Sequence, residues 1–508
     1  MSESLPPVPA LSNRSLDASS SSHLEVPGYD RTRLEPAVVH FGVGGFHRAH
    51  QEVYFDRLAE LGFIHWGVIG VGMRRPEMRQ VLEAQDNLFT VVERGVEDSA
   101  AKVIGSMVEY LLLADDRQAV RARLADPRIR LVTLTITADG YVLPDDPEQA
   151  HESVFELIVD ALDERRLARD APFTVLSCDN LPDSAAATRE AVMTLARRRA
   201  PELARWIEDR VSFPGSMVDR ITPATTPEDR DEIEEDFQVG DRWPVITEPF
   251  MQWVIEDDFC NDRPPLDRVG VRFVDDVAPY KLIKSRLLNG VHSALGYVGY
   301  LAGHRSTYQA MEDPDVADFI QRLMREEIAP LLPADVPGMD LDTYCDTVLE
   351  RLSNPSIADQ LARLCRRGST KVPDYLLPSL HAAHAQDRPR TRLAFAVATW
   401  MRYLRGEDLD GAPIDVQDAR AAELREAALR GGDDPKTLLA ITDVFGDLSD
   451  DAASVTVIRE SLAGAFADGR SLRSALASPA QPSDHATGTR PQETHEHSGP
   501  HPNHDAVA

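Results

Sequence analysis

Short apolar runs alternate with helically spaced stretches over the first half of the chain, and the second half keeps the helical spacing almost throughout. The runs at 37–41, 66–71, 130–135 and 174–177 read as buried strands. Amphipathic helices are predicted at 51–61, 76–84, 117–124 and 151–167. Alternation of this kind predicts an α/β fold with a mainly parallel, doubly wound sheet. Its ligands should lie beyond the carboxyl ends of the strands. From residue 278 onward, helices are predicted at 279–304, 316–328, 340–351, 357–366, 390–404, 416–429 and 454–466. The expected organisation is a flexible, Ser-rich arm over 1–25, a sheet domain over 26–277, a mainly α-helical C-terminal domain over 278–477 and a disordered tail over 478–508. The cleft between the two folded domains is the expected site.

At 508 residues, with 43% hydrophobic content, the chain is long enough for two or three domains with their own cores. A formal charge of -30 argues against nucleic acid as a partner, because phosphate binding needs a basic face. The acidic surface also fits adaptation to high salt or a GC-rich genome. No long apolar run and no charged-then-apolar leader is seen, so neither membrane nor secretory targeting is indicated and the cytoplasm is the expected location. Cys178, Cys260, Cys345 and Cys365 lie far apart without CxxC spacing, which predicts buried thiols and no metal site. The oligomeric state is open, with a monomer favoured.

The strand at 37–41 runs straight into GVGGFHRAH at 42–50. Strand, glycine-rich turn and helix form the arrangement in which backbone N–H groups receive a pyrophosphate, as in Rossmann-like domains. Gly42, Gly44, Gly45 and Phe46 are the candidate cofactor contacts. His47 stands where the dinucleotide fingerprint has Gly or Ala, so a mere tight turn is the alternative. After the second strand come Arg74 and Glu77. An acid there suits the ribose hydroxyl of NAD and an arginine suits the phosphate of NADP, so both cofactors stay open.

Only five of the 54 basic residues are lysine: Lys102, Lys281, Lys284, Lys371 and Lys436. A retained lysine is therefore informative, because an amine can shed its proton where a guanidinium cannot. At about 100° per residue, Lys284, Asn289 and His292 project within one broad arc of a helix. Lys281 and Arg286 are the expected cationic neighbours of Lys284. Tyr280 and Lys284 also spell YxxxK, the pair of short-chain dehydrogenases, but the glycine turn and Lys284 are too far apart in sequence for one such compact domain.

GVGGFHRAH, the loop SCDN, FPGSMVDRITP, EPFMQWVIED and KSRLLNGVH together resemble the mannitol dehydrogenase family of polyol-specific long-chain dehydrogenases, over nearly all the chain between its ends. The resemblance implies an NAD(P)-dependent, zinc-independent oxidoreductase interconverting a polyol and a ketose, mannitol and fructose foremost. It implies Lys284 as general acid/base, Asn180 and Asn289 as amides on the reacting oxygen, and His292, Asp219, Arg363 and Lys371 as contacts to substrate hydroxyls. On the residues alone, Asp219 beside Arg220 also fits a loop ion pair, and Arg363 also fits an ordinary exposed helix arginine.

The chain departs from the family where an acid commonly stands three residues before the lysine, since Lys281 is there. It departs again at Thr137-Ala138-Asp139-Gly140-Tyr141, where the acid is lost or moved by one. The segment from Tyr141 to His151 is short, and Asp183-Ser184-Ala185 follows the DNL loop. Two alternatives follow: a hexuronate reductase acting on fructuronate, whose carboxylate would suit Lys281, and a non-catalytic nucleotide-binding relative.

Overall fold

Val38, Val39 and Phe41 are fully buried on the central strand of a five-stranded parallel sheet. The strands are β1 (Pro36–Phe41), β2 (Gly67–Gly72), β3 (Met107–Leu112), β4 (Leu131–Leu134) and β5 (Thr174–Ser177), in the order β3-β2-β1-β4-β5. Burial of almost every side chain in β1, β2, β4 and β5 explains why they read as continuous apolar runs. β3 was not legible because Glu109 interrupts it and pairs with Arg123. The computed structural model describes residues 8–16, 23–143, 153–357 and 359–477.

Helices Pro76–Ala84, Leu113–Ala125, Val154–Ala168 and Ser184–Arg199 flank the sheet. Two smaller sheets lean on this layer. Val245–Thr247, Phe89–Arg94, Ser99–Ile104 and Leu24–Glu25 form one; Ser216–Asp219, Gln252–Glu256 and Arg272–Val274 form the other. The expected arm is thus docked in part: Leu24 pairs with Ala101, and Leu11 and Leu24 are buried in the core beneath. Residues 1–7 and 17–22 of the arm, and the histidines of the tail, lie outside the described residues.

Beyond Val277 the chain is helical, with Ala278–Lys284, Val291–Leu301, Leu341–Leu352, Thr391–Tyr403 and Ala452–Gly464 prominent. The stretch predicted as one helix over 357–366 keeps only Leu361–Leu364. Among the described residues there, the chain turns at Asn354 and Gln360 bridges to Ser306, which delays the start of the helix to Leu361. Met217 and Val254 of the sheet domain are embedded in the core of the helical domain, so the two share packed surface. No helix among the described residues is long and apolar enough to cross a membrane. Cys178, Cys345 and Cys365 are buried, whereas Cys260 is half-buried beside the start of β5, where its backbone N–H donates to Thr174.

Candidate active site

β1 delivers the chain into a turn at Gly42, where φ is +100° and an added Cβ would lie 2.1 Å from the carbonyl oxygen of Thr135. Only glycine fits there. At Gly44 and Gly45 the nearest heavy atom to an added Cβ is 3.7 Å away. The protein's own packing does not demand glycine at these two positions, and the space above them is open. A helix begins at once, Gly45–Ala49, breaks at buried His50 and resumes as Gln51–Glu60.

The side chains under the turn form a closed polar layer. The rings of His40 and His47 stack at 3.3 Å. Thr135 Oγ1 donates to the carbonyl oxygen of Gly42 at 2.8 Å, so His40 Nε2, 3.0 Å away, donates to Thr135. His47 Nε2 lies 3.1 Å from Glu52. Burial drives the His47 imidazole down to about 3, so it is neutral. Burial pushes the Glu52 carboxyl up to about 7, against a hydrogen bond from Ser106. His47 thus occupies the fingerprint's small-residue position by turning down beneath the loop.

One cavity of about 490 Å³ runs from Gly42, Gly44, Gly45 and Phe46 to Asn180, Asp219, Lys284, Asn289, His292 and Arg363. Asn180 comes from the loop after β5, at the carboxyl edge of the sheet. Lys284 closes the helix Ala278–Lys284, and the next turn, Ser285–Gly290, is a π-helix. Closure by i→i+5 bonds sets Asn289 nearly above Lys284. Gly290 permits this turn to press on the neighbouring one, since a Cβ there would meet the carbonyl oxygen of Tyr375 at 2.8 Å.

Lys284 Nζ donates to Asn180 Oδ1 at 3.0 Å. Burial lowers the lysine's pKa, opposed by Asp219 and aided by Arg351 and Lys281. Arg286, expected as a neighbour, is not among the charges that shift Lys284; it lines a second cavity of about 270 Å³ that Lys284 also borders. Lys281 lines that second cavity too, and burial lowers its pKa. His292 is driven down to about 4 by burial, so it is neutral at ordinary pH. Tyr280 donates to the carbonyl oxygen of Pro337 at 2.7 Å and lines neither cavity, which removes the YxxxK pairing.

Asp219 stands on the cavity wall, but its ion-pair partner is Arg351 and not Arg220. Arg220 turns the other way, to Glu93 and to the carbonyl oxygen of Glu248 at 3.0 Å. Arg363 lies at the rim, paired with Asp359. Lys371 is off the wall: its amine donates to the carbonyl oxygen of Leu364 at 3.2 Å. Arg74 and Glu77 are exposed beyond the end of β2, and neither touches the cavity. Sequence reasoning missed Arg351, Asp179 and Thr137. Asp179, next to Asn180, accepts the N–H of Ile136 (3.1 Å) and Thr137 (2.8 Å) and the hydroxyl of Tyr141 (2.8 Å), fixing the floor of the loop.

Residues 36–268 match the mannitol dehydrogenase Rossmann domain, and residues 276–464 match the mannitol dehydrogenase C-terminal domain. The chain belongs to the mannitol dehydrogenase family. Among members of this family, it is 42% identical over 455 residues to mannitol 2-dehydrogenase of Aspergillus clavatus, covering 85% of this chain and 90% of the relative. The enzyme of the same name from Neosartorya fischeri is 43% identical with the same coverage. Mannitol 2-dehydrogenase of Pseudomonas fluorescens, solved in a ternary complex with NAD and D-mannitol, superposes with a TM-score of 0.81 at 38% identity, over 93% of this chain and all of that one. A substrate-free D-sorbitol dehydrogenase superposes with a TM-score of 0.82 at 31% identity, over 92% of this chain and all of that one.

Proposed function

We propose that the protein is an NAD-dependent, zinc-independent polyol dehydrogenase that interconverts mannitol and fructose, with Lys284 as general acid/base. The observation that carries this reading is the single cavity with the glycine turn at one end and Lys284, Asn180, Asn289 and His292 at the other. The positive φ of Gly42 and the open space over Gly44 and Gly45 fit a dinucleotide pyrophosphate, so these glycines and Phe46 would hold the cofactor. A nicotinamide bound there supplies the hydride acceptor for alcohol oxidation and the donor for ketose reduction.

The chain's own residues handle the proton and the oxygen. The neutral amine of Lys284 takes the proton of the reacting hydroxyl, and its ammonium form returns it in the reverse direction. Asn180 spends its carbonyl oxygen on Lys284, which leaves its amide N–H groups for the reacting oxygen. Asn289 supplies a second donor, and such preset donors favour the charge that develops there. Neutral His292, Asp219 and Arg363 are the polar wall for the remaining hydroxyls. NAD over NADP is favoured by the relative solved with NAD. All these walls come from one chain, so a monomer suffices, which size-exclusion chromatography with light scattering tests. Its free thiols suit the reducing cytoplasm, and cell fractionation tests that placement.

The decisive experiment measures NADH and NADPH oxidation with fructose and with fructuronate, using wild type and Lys284→Ala. Fructose turnover with NADH that vanishes in the variant is the expected result. Turnover of fructuronate alone would move the substrate to ketouronates, and cofactor binding without turnover of either would overturn the enzymatic reading.

A further inference from the structure

Arg351 is buried at 4% side-chain exposure and belongs to the helical domain, yet all its charged partners are on the sheet domain. It grips Asp219 in a fork, Nη1 to Oδ2 and Nη2 to Oδ1, each at 2.9 Å. Its other edge holds Glu248, Nε to Oε2 at 2.9 Å and Nη2 to Oε1 at 2.7 Å. The guanidinium also lies over the ring of Phe250, 4.1 Å from the centroid. Glu248 is itself fixed by the N–H of Ile221 at 2.5 Å. A planar fork held on both edges has no freedom left, and Asp219 has no freedom that Arg351 lacks.

Asp219 and Lys284 face the same cavity, but among the described residues they form no ion pair. Their charges nevertheless act on each other. The other groups that bear on Lys284 or Asp219 are Glu248, held by Arg351 as Asp219 is, Tyr344, whose hydroxyl donates to Asp219 Oδ2 at 3.5 Å, Lys281 on the lysine's own helix, His292 after the π turn, and His50 at the foot of the glycine turn. Neither histidine is charged at neutral pH, because burial drives His50 to about 3 and His292 to about 4. Asp219 is thus the carboxylate whose charge would hold the proton on Lys284, and Arg351 is the cation that occupies it.

We propose that Arg351 is a positioning residue of this site: by saturating both oxygens of Asp219 it keeps that carboxylate on the wall and off Lys284, so that the amine can release its proton. The inference rests on the proposed role of Lys284. Removing the guanidinium would leave Lys284 as the nearest mobile cation for Asp219, and a salt bridge between them would hold the base in its charged form.

The test compares the pH dependence of kcat for mannitol oxidation in wild type and in the double variant Arg351→Met/Glu248→Gln, which removes the cation together with one buried anion. The midpoint of the acidic limb is expected to move upward by about one pH unit, with a fall in kcat of about tenfold below it. Arg351→Lys, which keeps the charge and loses the fork, should fall between the two. Asp219→Asn, which needs no change at Arg351, should move the midpoint the opposite way, downward. A double variant that binds NADH as wild type does and keeps the wild-type midpoint would overturn the inference. So would an unchanged midpoint in Asp219→Asn, which decides the matter where the double variant does not fold. Wild-type turnover that persists in Lys284→Ala would instead remove the role of Lys284 on which the inference stands, and that is seen without touching Arg351.

Discussion

Lys284 Nζ and Asn180 Oδ1 are 3.0 Å apart, a hydrogen bond from the helical domain to the loop at the carboxyl edge of the sheet. It joins the proposed base to the proposed oxygen-binding amide, so neither can shift alone. Lys284→Ala is expected to lower turnover by roughly 10²–10⁴-fold while NADH binding stays near wild type. Because burial lowers the lysine from its ordinary 10.5, oxidation, which needs the neutral amine, should rise with pH through a midpoint below that value. Reduction, which needs the ammonium, should fall through the same midpoint. Opposed profiles in stopped-flow assays of the two directions check this.

Gly42 and Gly44 separate fold from cofactor binding. Gly42→Ala forces a Cβ against the carbonyl oxygen of Thr135 at a positive φ, and should cost about 2 kcal/mol or more of stability. Gly44→Ala meets nothing closer than 3.7 Å, so its urea midpoint should stay near wild type. Its NADH affinity should nevertheless fall about tenfold or more as the methyl fills the space a pyrophosphate needs. Fluorescence titration and urea unfolding on both variants separate the two effects.

Glu52 should write a pH dependence into stability. Its carboxyl is raised from 4.5 to about 7 by burial, so between these values the folded protein keeps a proton that the unfolded chain has lost. Its contribution is fully present below pH 4.5 and is lost as pH rises through 7, by about 3 kcal/mol. Glu52→Gln should cancel this slope, and the difference between the two proteins in urea unfolding at pH 5 and pH 8 measures it.

Thr137 has φ 65° and ψ 167°, a region nearly reserved for glycine, and is held there by Asp179. Strain of this kind amounts to about 1–3 kcal/mol, partly offset by the entropy glycine loses on folding. Thr137→Gly is therefore expected to stabilise the protein by about 1 kcal/mol in urea unfolding.

The sequence carried the sheet well wherever a strand is buried on both sides: the run at 174–177 coincides with β5, and Pro76–Ala84 begins at the proline that announces it. Gly42 was legible because only glycine takes its backbone, and Lys284 stood out because lysine is scarce in this chain; both line one cavity. Arg351 left no signal. It is one arginine among many on an ordinary amphipathic helix, and its partners Asp219 and Glu248 are more than a hundred positions away. For the same reason Asp219 looked like a partner for Arg220, its neighbour in sequence but not in space. Lys371, a substrate contact by the resemblance, gives its amine to the carbonyl oxygen of Leu364, and nothing in the sequence says which way an amine turns.

The π turn over Ser285–Gly290 makes the site sensitive to chain length as well as to chemistry. Such a turn behaves as an α-helix carrying one residue too many, and its strain-free alternative lies a single deletion away. Removing one residue between Lys284 and Asn289 would restore a regular helix, swing Asn289 round the axis, and turn His292 by roughly a quarter of a revolution relative to Lys284. Lys284, Asn289 and His292 would all still be present. The helix is in this sense a counter, and lineages that gain or lose one codon here would change what the cavity can hold while keeping Lys284, Asn289 and His292.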